Sequence, residues 1–331
     1  MSPKKVAVIV ALSIVALAGL FALIAILDNN HPEEQYTKRE KTTVTFDDES
    51  YIQNDSKNYL IFGLDDEEVF HDSNSYYNTN MCDFITILNI NERNREYSIF
   101  EINRDSMVEV IQLNIHQQSM GTTAYKQIAY AFSQGKGTTL SARNVLNTVC
   151  KLMYNIKITD YIAMKLPAIN IINNSIGGVD ITLDDDQDLS AVYPEWTPGA
   201  TIHLDGDKAE EFVRARKTVS DGTNESRMKR QTQYLEAFID QVSKEKEKST
   251  EDSAKLLANA FLEASDYLLT EFSGSMDFDQ MFDTFKDYTY LGSFTPEGRV
   301  EINENNNALF YIDKSSFDEL MKKLFFKKYE K

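Results

Sequence analysis

The sequence predicts an α/β fold: a three-layer-like domain whose central mixed β-sheet is flanked by helices, preceded by one transmembrane helix. Three observations carry this. Short runs rich in β-branched and aromatic residues alternate with segments of helical spacing. Hydrophobic residues make up 42% of the 331-residue chain, enough to build a core and too many for a disordered polymer. And Val6 to Leu27, VAVIVALSIVALAGLFALIAIL, contains no charged residue.

About 20 apolar residues span a bilayer. Lys4 and Lys5 precede this run, while Asp28, His31, Glu33 and Glu34 follow it. The bias of positive charge toward the cytoplasm puts the N-terminus inside and everything after Asp28 outside, a single-pass protein of the cell membrane. A cleaved signal peptide has a shorter apolar region, about 7–15 residues, so the run reads as an uncleaved anchor. Residues 1–28 are therefore expected to be a cytoplasmic stub and anchor. Residues 29–57 read as a polar linker, 58–244 as the α/β domain, and 245–331 as a mainly helical extension packed on or next to it. A formal charge of -18 excludes a general nucleic-acid surface. Cys82 and Cys150, the two cysteines, lie in dissimilar surroundings and read as two thiols. Four scattered histidines form no zinc-ligand spacing.

Along the domain, NYLIFGL (Asn58–Leu64) is a buried-strand run stopped by acids. FITILNI (Phe84–Ile90), the polar NERNRE and YSIFEI (Tyr97–Ile102) read as a hairpin. Thr139 to Met153 has helical spacing, with Ser141 as a candidate cap. YIAMKL is a strand candidate. Pro167 opens a helix that Gly177 and Gly178 end. VDITL is a further strand and GDKAEEFVRA a short helix. Asn224 caps a long helix running past Val242. The charged break KEKEKSTED follows, then helical spacing over 253–272 and 278–285. Ser315 is the expected cap of a last helix, with Phe317, Leu320, Met321, Leu324 and Phe325 on one face packed against the domain.

Four polar clusters stand out. Phe212 to Gln231 holds Arg214, Arg216, Lys217, Arg227, Lys229 and Arg230 against only Asp221 and Glu225, a basic island in an acidic chain. On a helix, Arg227, Arg230 and Gln231 share one face. Arginines in a helix's first turns oppose its macrodipole, which points to an anion beside them; a solvated face with local ion pairs is the competing reading. Asp65, Asp83 and the Arg104–Asp105 pair each fall at a strand terminus, where α/β folds place ligands. Carboxylates suit a hard cation such as Mg²⁺, and arginines suit phosphates. The acid run Asp184–Asp188 lacks the glycine and final glutamate of a calcium loop and reads as a solvated loop.

Between Tyr59 and Phe238 these motifs, in this order and behind such an anchor, resemble the LytR-CpsA-Psr family of bacterial envelope proteins. The resemblance rests on Phe62–Asp65, Met81–Asp83, Asn103–Asp105 and Gly177–Val179. It continues through Gly199, Leu204, Gly206, Ala209, Arg214 and Arg216, then Arg227, Arg230 and Gln231. It implies a Mg²⁺- or Mn²⁺-assisted phosphotransferase, with a pyrophosphatase side reaction, in a Gram-positive envelope. The donor would be a polyprenyl-pyrophosphate-linked glycan, with its lipid in an apolar tunnel, and the acceptor peptidoglycan. Carried over, Asp65 and Asp83 would hold the metal. Arg104, Arg214, Arg216, Arg227 and Arg230 would surround the pyrophosphate, with Gln231 adding a hydrogen bond. Arg104, Asp105, Arg216 and Asp83 would be catalytic, Asp105 either orienting an arginine or assisting proton removal. The chain departs from the family's pattern at Met81, where arginine is usual, at Asn103, where proline is usual, at Met107, just past that motif, and at Asn224 in place of aspartate. The loss of an arginine at position 81 leaves a second reading open: a non-catalytic relative that binds polyprenyl phosphate or wall polymer and serves as an envelope regulator.

Overall fold

The computed structural model describes residues 43–329 apart from 74, 76, 217–218, 249–255, 257–258 and 272–287. The expected membrane span lies outside these residues. Among those described, no helix is long and apolar enough to cross a membrane. The fold is mixed α/β. In chain order the strands are β1 (Thr43–Phe46), β2 (Glu49–Gln53), β3 (Lys57–Leu64), β4 (Cys82–Asn91), β5 (Glu96–Glu101), β6 (Met107–Leu113), β7 (Ser119–Gln127), β8 (Asp160–Lys165), β9 (Val179–Thr182), β10 (Thr201–Leu204), β11 (Leu268–Thr270), β12 (Thr289–Phe294), β13 (Gly298–Ile302), β14 (Ala308–Ile312) and β15 (Phe326–Lys328). The helices are α1 (Thr139–Leu152), α2 (Leu166–Ser175), α3 (Lys208–Arg214), α4 (Asn224–Lys248) and α5 (Lys314–Leu324). The chain divides into two compact units.

The first unit holds the described residues up to Met164, with 268–271 and 291–329. Its centre is a six-stranded sheet in the order β11-β8-β3-β4-β5-β12. β3 places Leu60, Phe62 and Leu64 in the core cluster and turns Tyr59 and Ile61 the other way, yet all five are buried. Burial on both faces is why NYLIFGL reads as a continuous apolar run rather than an alternating one. β4 and β5 form the hairpin expected from the sequence, with the polar turn between them, and β3 pairs antiparallel with the other edge of β4. α1 contributes Ala142, Val145 and Val149 to the core, and α5 contributes Phe317, Met321 and Leu324. The apolar face of α5 is thus packed on the domain as expected.

Several local expectations change. The segment 29–57 is a linker only on paper from Thr43 onward: β1 and β2 pair with each other and β2 pairs with β15. Phe46 is the reason. It is 2% exposed and meets Tyr51, Tyr154 and Phe326 edge-on. Acids and threonines around it hide that single anchor in the sequence. The described part of the extension 245–331 is mixed rather than mainly helical: the strands β11 to β15 stand beside the end of α4, helical residues 259–263 and α5. Runs such as TYLGSF and ALFYI are dense in residues that favour a pleated, half-buried surface. Ser141 does not cap α1; its Oγ donates to the Gln134 carbonyl and accepts from Gly137 N–H. α5 is capped by Asp313, which accepts from Ser316 N–H, rather than by Ser315. Cys82 and Cys150 are buried free thiols.

The second unit centres on Lys165–Tyr267. Pro167 sits in the first turn of α2. Gly177 and Gly178 end that helix with φ of 79° and 80°. At Gly178 a Cβ would stand 2.6 Å from the Leu204 carbonyl oxygen, so only glycine fits between α2 and β10. Asn173 fastens the same turn, accepting from Gly178 N–H and donating to Leu204 O. Trp196 is buried against Tyr193 and Phe212. The acid run Asp184–Asp188 meets the Lys229 ammonium, 3.0 Å from Asp184 and 2.9 Å from Asp186. That pairing fits an ordinary surface loop.

Candidate active site

In the first unit, Asp65, Asp83 and Arg104–Asp105 come from one end of three adjacent strands. Gly63 pairs with Phe84 and Leu64 with Cys82, so Asp83 is the extra residue of a β-bulge in β4. The bulge is visible in burial. Cys82, Ile85 and Ile87 all reach the core cluster, although Cys82 and Ile85 are an odd number of residues apart. A bulge re-aims a side chain and bends the strand, and bulges concentrate beside active sites. Asp65 follows Leu64 directly and is exposed.

Arg104, just beyond β5, forms an ion pair through Nη1 with Asp83 Oδ1. Its Nε lies 3.8 Å from Asp105 Oδ1, and its Nη2 stands 3.8 Å from Met81 Sδ. Met81 is therefore beside the guanidinium, as a thioether with no charge. Asp105 is buried, its N–H donating to Asn103 Oδ1 at 2.9 Å. Gln127, which the sequence reading did not single out, donates from Nε2 to Asp105 Oδ1 at 3.1 Å. No local pattern marks it, since it lies at the end of β7 and meets Asp105 only through the β6–β7 pairing.

The charges suit a divalent cation. Asp65, Asp83 and Asp105 against the single Arg104 leave an excess of two negative charges on neighbouring strand ends. Among the described residues no three His, Cys, Asp or Glu side chains gather as a metal cage. Mg²⁺ differs from cage-bound metals: it commonly takes one or two carboxylates together with phosphate oxygens. The donors present fit that use.

In the second unit, α4 brings Arg227, Arg230 and Gln231 onto one face, as their spacing predicts. Arg227 and Arg230 are 5% and 1% exposed. Arg227 Nη2 donates to Asn224 Oδ1 at 2.6 Å, so the residue that departs from the family's aspartate orients the first arginine. Arg230 donates from Nε to Phe212 O at 3.4 Å and from Nη2 to Ala215 O. Gln231 Nε2 reaches Val213 O at 3.4 Å. These carbonyls close the C-terminal end of α3, where unsatisfied acceptors and negative partial charge accumulate. Part of the basic island is thus a helix cap. Arg230 Nη1 is buried with no hydrogen-bond partner among the described residues. Burial, and then the Arg227 guanidinium, push the Arg230 pKa down to about 10. It stays charged near neutrality at a cost that a bound anion would offset.

Arg214 is placed differently. It is exposed, paired with Glu210 at 3.2 Å, and lines an open depression of about 490 Å³ with Ala191, Val192, Tyr193, Glu211 and Ala215. Arg216 lies past the end of α3 and is partly buried.

The protein gbs0355 from Streptococcus agalactiae superposes with a TM-score of 0.63 at 17% identity, covering 81% of this chain and 86% of that one. TagV of B. subtilis gives 0.59 at 19%, covering 81% and 95%. TagT bound to LI-WTA gives 0.57 at 19%, covering 87% and 96%. At such identities these likenesses establish the fold. No curated protein sequence matches the chain. The LytR_cpsA_psr family model matches residues 22–325, most of the chain, and the chain therefore belongs to the LytR-CpsA-Psr family.

Proposed function

We propose that this chain is a membrane-anchored phosphotransferase that moves a glycopolymer from a polyprenyl-pyrophosphate carrier to peptidoglycan. Members of its family are phosphotransferases of cell-wall assembly, and a structural neighbour, TagT, was solved bound to LI-WTA. The observation that carries the reading is Arg230: a guanidinium buried to 1% exposure, beside buried Arg227, with one nitrogen still to be satisfied. Fixed, dehydrated positive charge of this kind suits an anion, and the pyrophosphate of the donor supplies one.

The residues divide the work. Arg227 and Arg230, held by Asn224 and by the end of α3, bind the pyrophosphate and stabilise charge that moves onto the leaving phosphate. Arg216 and Gln231 extend that contact, and Arg214, exposed and paired with Glu210, would join it only by leaving that pair. Asp65 and Asp83 would hold Mg²⁺ or Mn²⁺, which when bound would neutralise phosphate oxygens. Arg104, gripped by Asp83 and facing Asp105, keeps both carboxylates oriented. Asp105 accepts the proton of the attacking acceptor hydroxyl, and the new phosphodiester forms as the bond to the polyprenyl phosphate breaks.

The full chain in lipid vesicles, given a synthetic polyprenyl-pyrophosphate-linked N-acetylglucosamine, muropeptide fragments and Mg²⁺, is expected to release polyprenyl phosphate and label the fragments. Arg216→Ala and Asp83→Ala should each remove most of that activity. Met81 favours the second reading, because it puts a neutral thioether where the family's arginine would stand. Arginine-dependent lipid binding without any turnover would establish that reading instead.

A further inference from the structure

We propose that Gln127 is a positioning residue for Asp105, and that through it the C-terminal hairpin β13–β14 sets the catalytic carboxylate. The inference rests on the reading above, in which Asp105 takes part in the reaction. The geometry behind it lies wholly within the first unit.

One nitrogen makes the link. Gln127 Nε2 donates to Asp105 Oδ1 at 3.1 Å and to the Ala308 carbonyl of β14 at 2.8 Å. A primary amide has two N–H donors, and both are used here. Ala308 therefore fixes the rotation of the Gln127 amide, and the amide fixes which way Asp105 Oδ1 points. That oxygen is the one 3.8 Å from Arg104 Nε. Arg104 in turn pairs with Asp83 at the bulge.

The backbone repeats the grip. Phe310 N–H donates to the Asp105 carbonyl at 2.8 Å, and Ser106 forms a parallel bridge with Phe310. Phe310 is 6% exposed, so this contact is anchored by packing. Main chain and side chain of Asp105 are thus both tied to a hairpin some two hundred residues later in the chain. β13 and β14 pair along their whole length, from Gly298↔Ile312 to Ile302↔Ala308. A two-stranded hairpin alone is marginal; seating β14 on the Asp105 segment gives it a partner and gives Asp105 a fixed frame. A buried carboxylate whose two neighbours are chosen this way is pre-organised, and misplacement of a reacting group by about 1 Å costs up to about a hundredfold in rate.

The test uses the full chain in vesicles and the donor and acceptor named above. Gln127→Leu keeps the side chain's bulk and removes both donors. The expected result is a kcat about ten- to a hundredfold lower with KM changed by less than about twofold, since ground-state binding is untouched. Thermal unfolding supplies a readout independent of turnover. The Tm losses of Gln127→Leu and Asp105→Ala should combine to less than their sum, because the two residues share one contact. Unchanged kcat in Gln127→Leu overturns the proposal, as do strictly additive Tm losses. If Asp105→Ala retains full kcat while Arg230→Met loses it, the positioning claim falls and the phosphotransferase reading stands. If the wild-type chain turns over no donor, both fall.

Discussion

At the scale of single residues, the proposal turns on Arg230, a guanidinium that is 1% exposed. Two of its nitrogens are spent on the carbonyls that end α3, and the third, buried without a hydrogen-bond partner among the described residues, is the one we propose an anion meets. Inorganic pyrophosphate is a direct probe. At a hundred times its Kd a ligand adds about 2.7 kcal/mol to stability, which for a domain of this size raises Tm by about 5 °C or more. Arg230→Met should lose most of that shift; an equal shift in both proteins would show that the anion binds elsewhere. Cys82 makes a separate prediction. Burial pushes its thiol from 9.0 up to about 12. The thiol is protonated in both folded and unfolded chains below about pH 9, so its contribution is complete there. It is lost as pH climbs from about 9 to 12, because the unfolded chain releases the proton first. Urea titrations should show stability falling more steeply over that window in the wild type than in Cys82→Ala. Parallel slopes would place the alkaline loss elsewhere. Arg230 and Arg227 were legible as a shared face because helical spacing is a local property. Their double duty as a cap of α3 was not, since it depends on where another helix ends.

At the scale of elements, strand β3 and the hairpin β4–β5 were legible because strands buried on both faces leave apolar runs that nothing else explains, whereas the pairing of β3 with β4 was not. The bulge at Asp83 was not: CDFIT reads as a plain strand, and only the register shift against Gly63 and Leu64 reveals the extra residue. Gln127 was equally hidden, because its partners Asp105 and Ala308 are distant in sequence. β1 was mistaken for linker because one aromatic carries its burial. Phe46→Ala should therefore cost about 3–5 kcal/mol, the range for large aromatic truncations in cores, read as a lower urea midpoint at unchanged slope. A loss below about 1 kcal/mol would mean that β1 is an ornament rather than part of the sheet β1-β2-β15. The same reasoning says that a chain starting at Asn58 would lose both β1 and β2, so functional work calls for the full chain.

At the scale of the whole molecule, the proposed anchor and the proposed substrate belong together. A carrier lipid never leaves the membrane, and an enzyme tethered to the same layer meets it at a raised effective concentration. An enzymatic reporter fused after Asp28 should be active outside the cell; activity confined to the cytoplasm would reverse the orientation. The central claim is that the chain is a phosphotransferase whose reaction needs both the buried arginines of α4 and the bulge carboxylate Asp83. The most direct measurement is single-turnover cleavage of a polyprenyl-pyrophosphate-linked sugar by wild type, Arg230→Met and Asp83→Asn, each in full-length form. The account predicts cleavage by the wild type and a loss of about a hundredfold or more in both variants. Cleavage at the wild-type rate in either variant would contradict it.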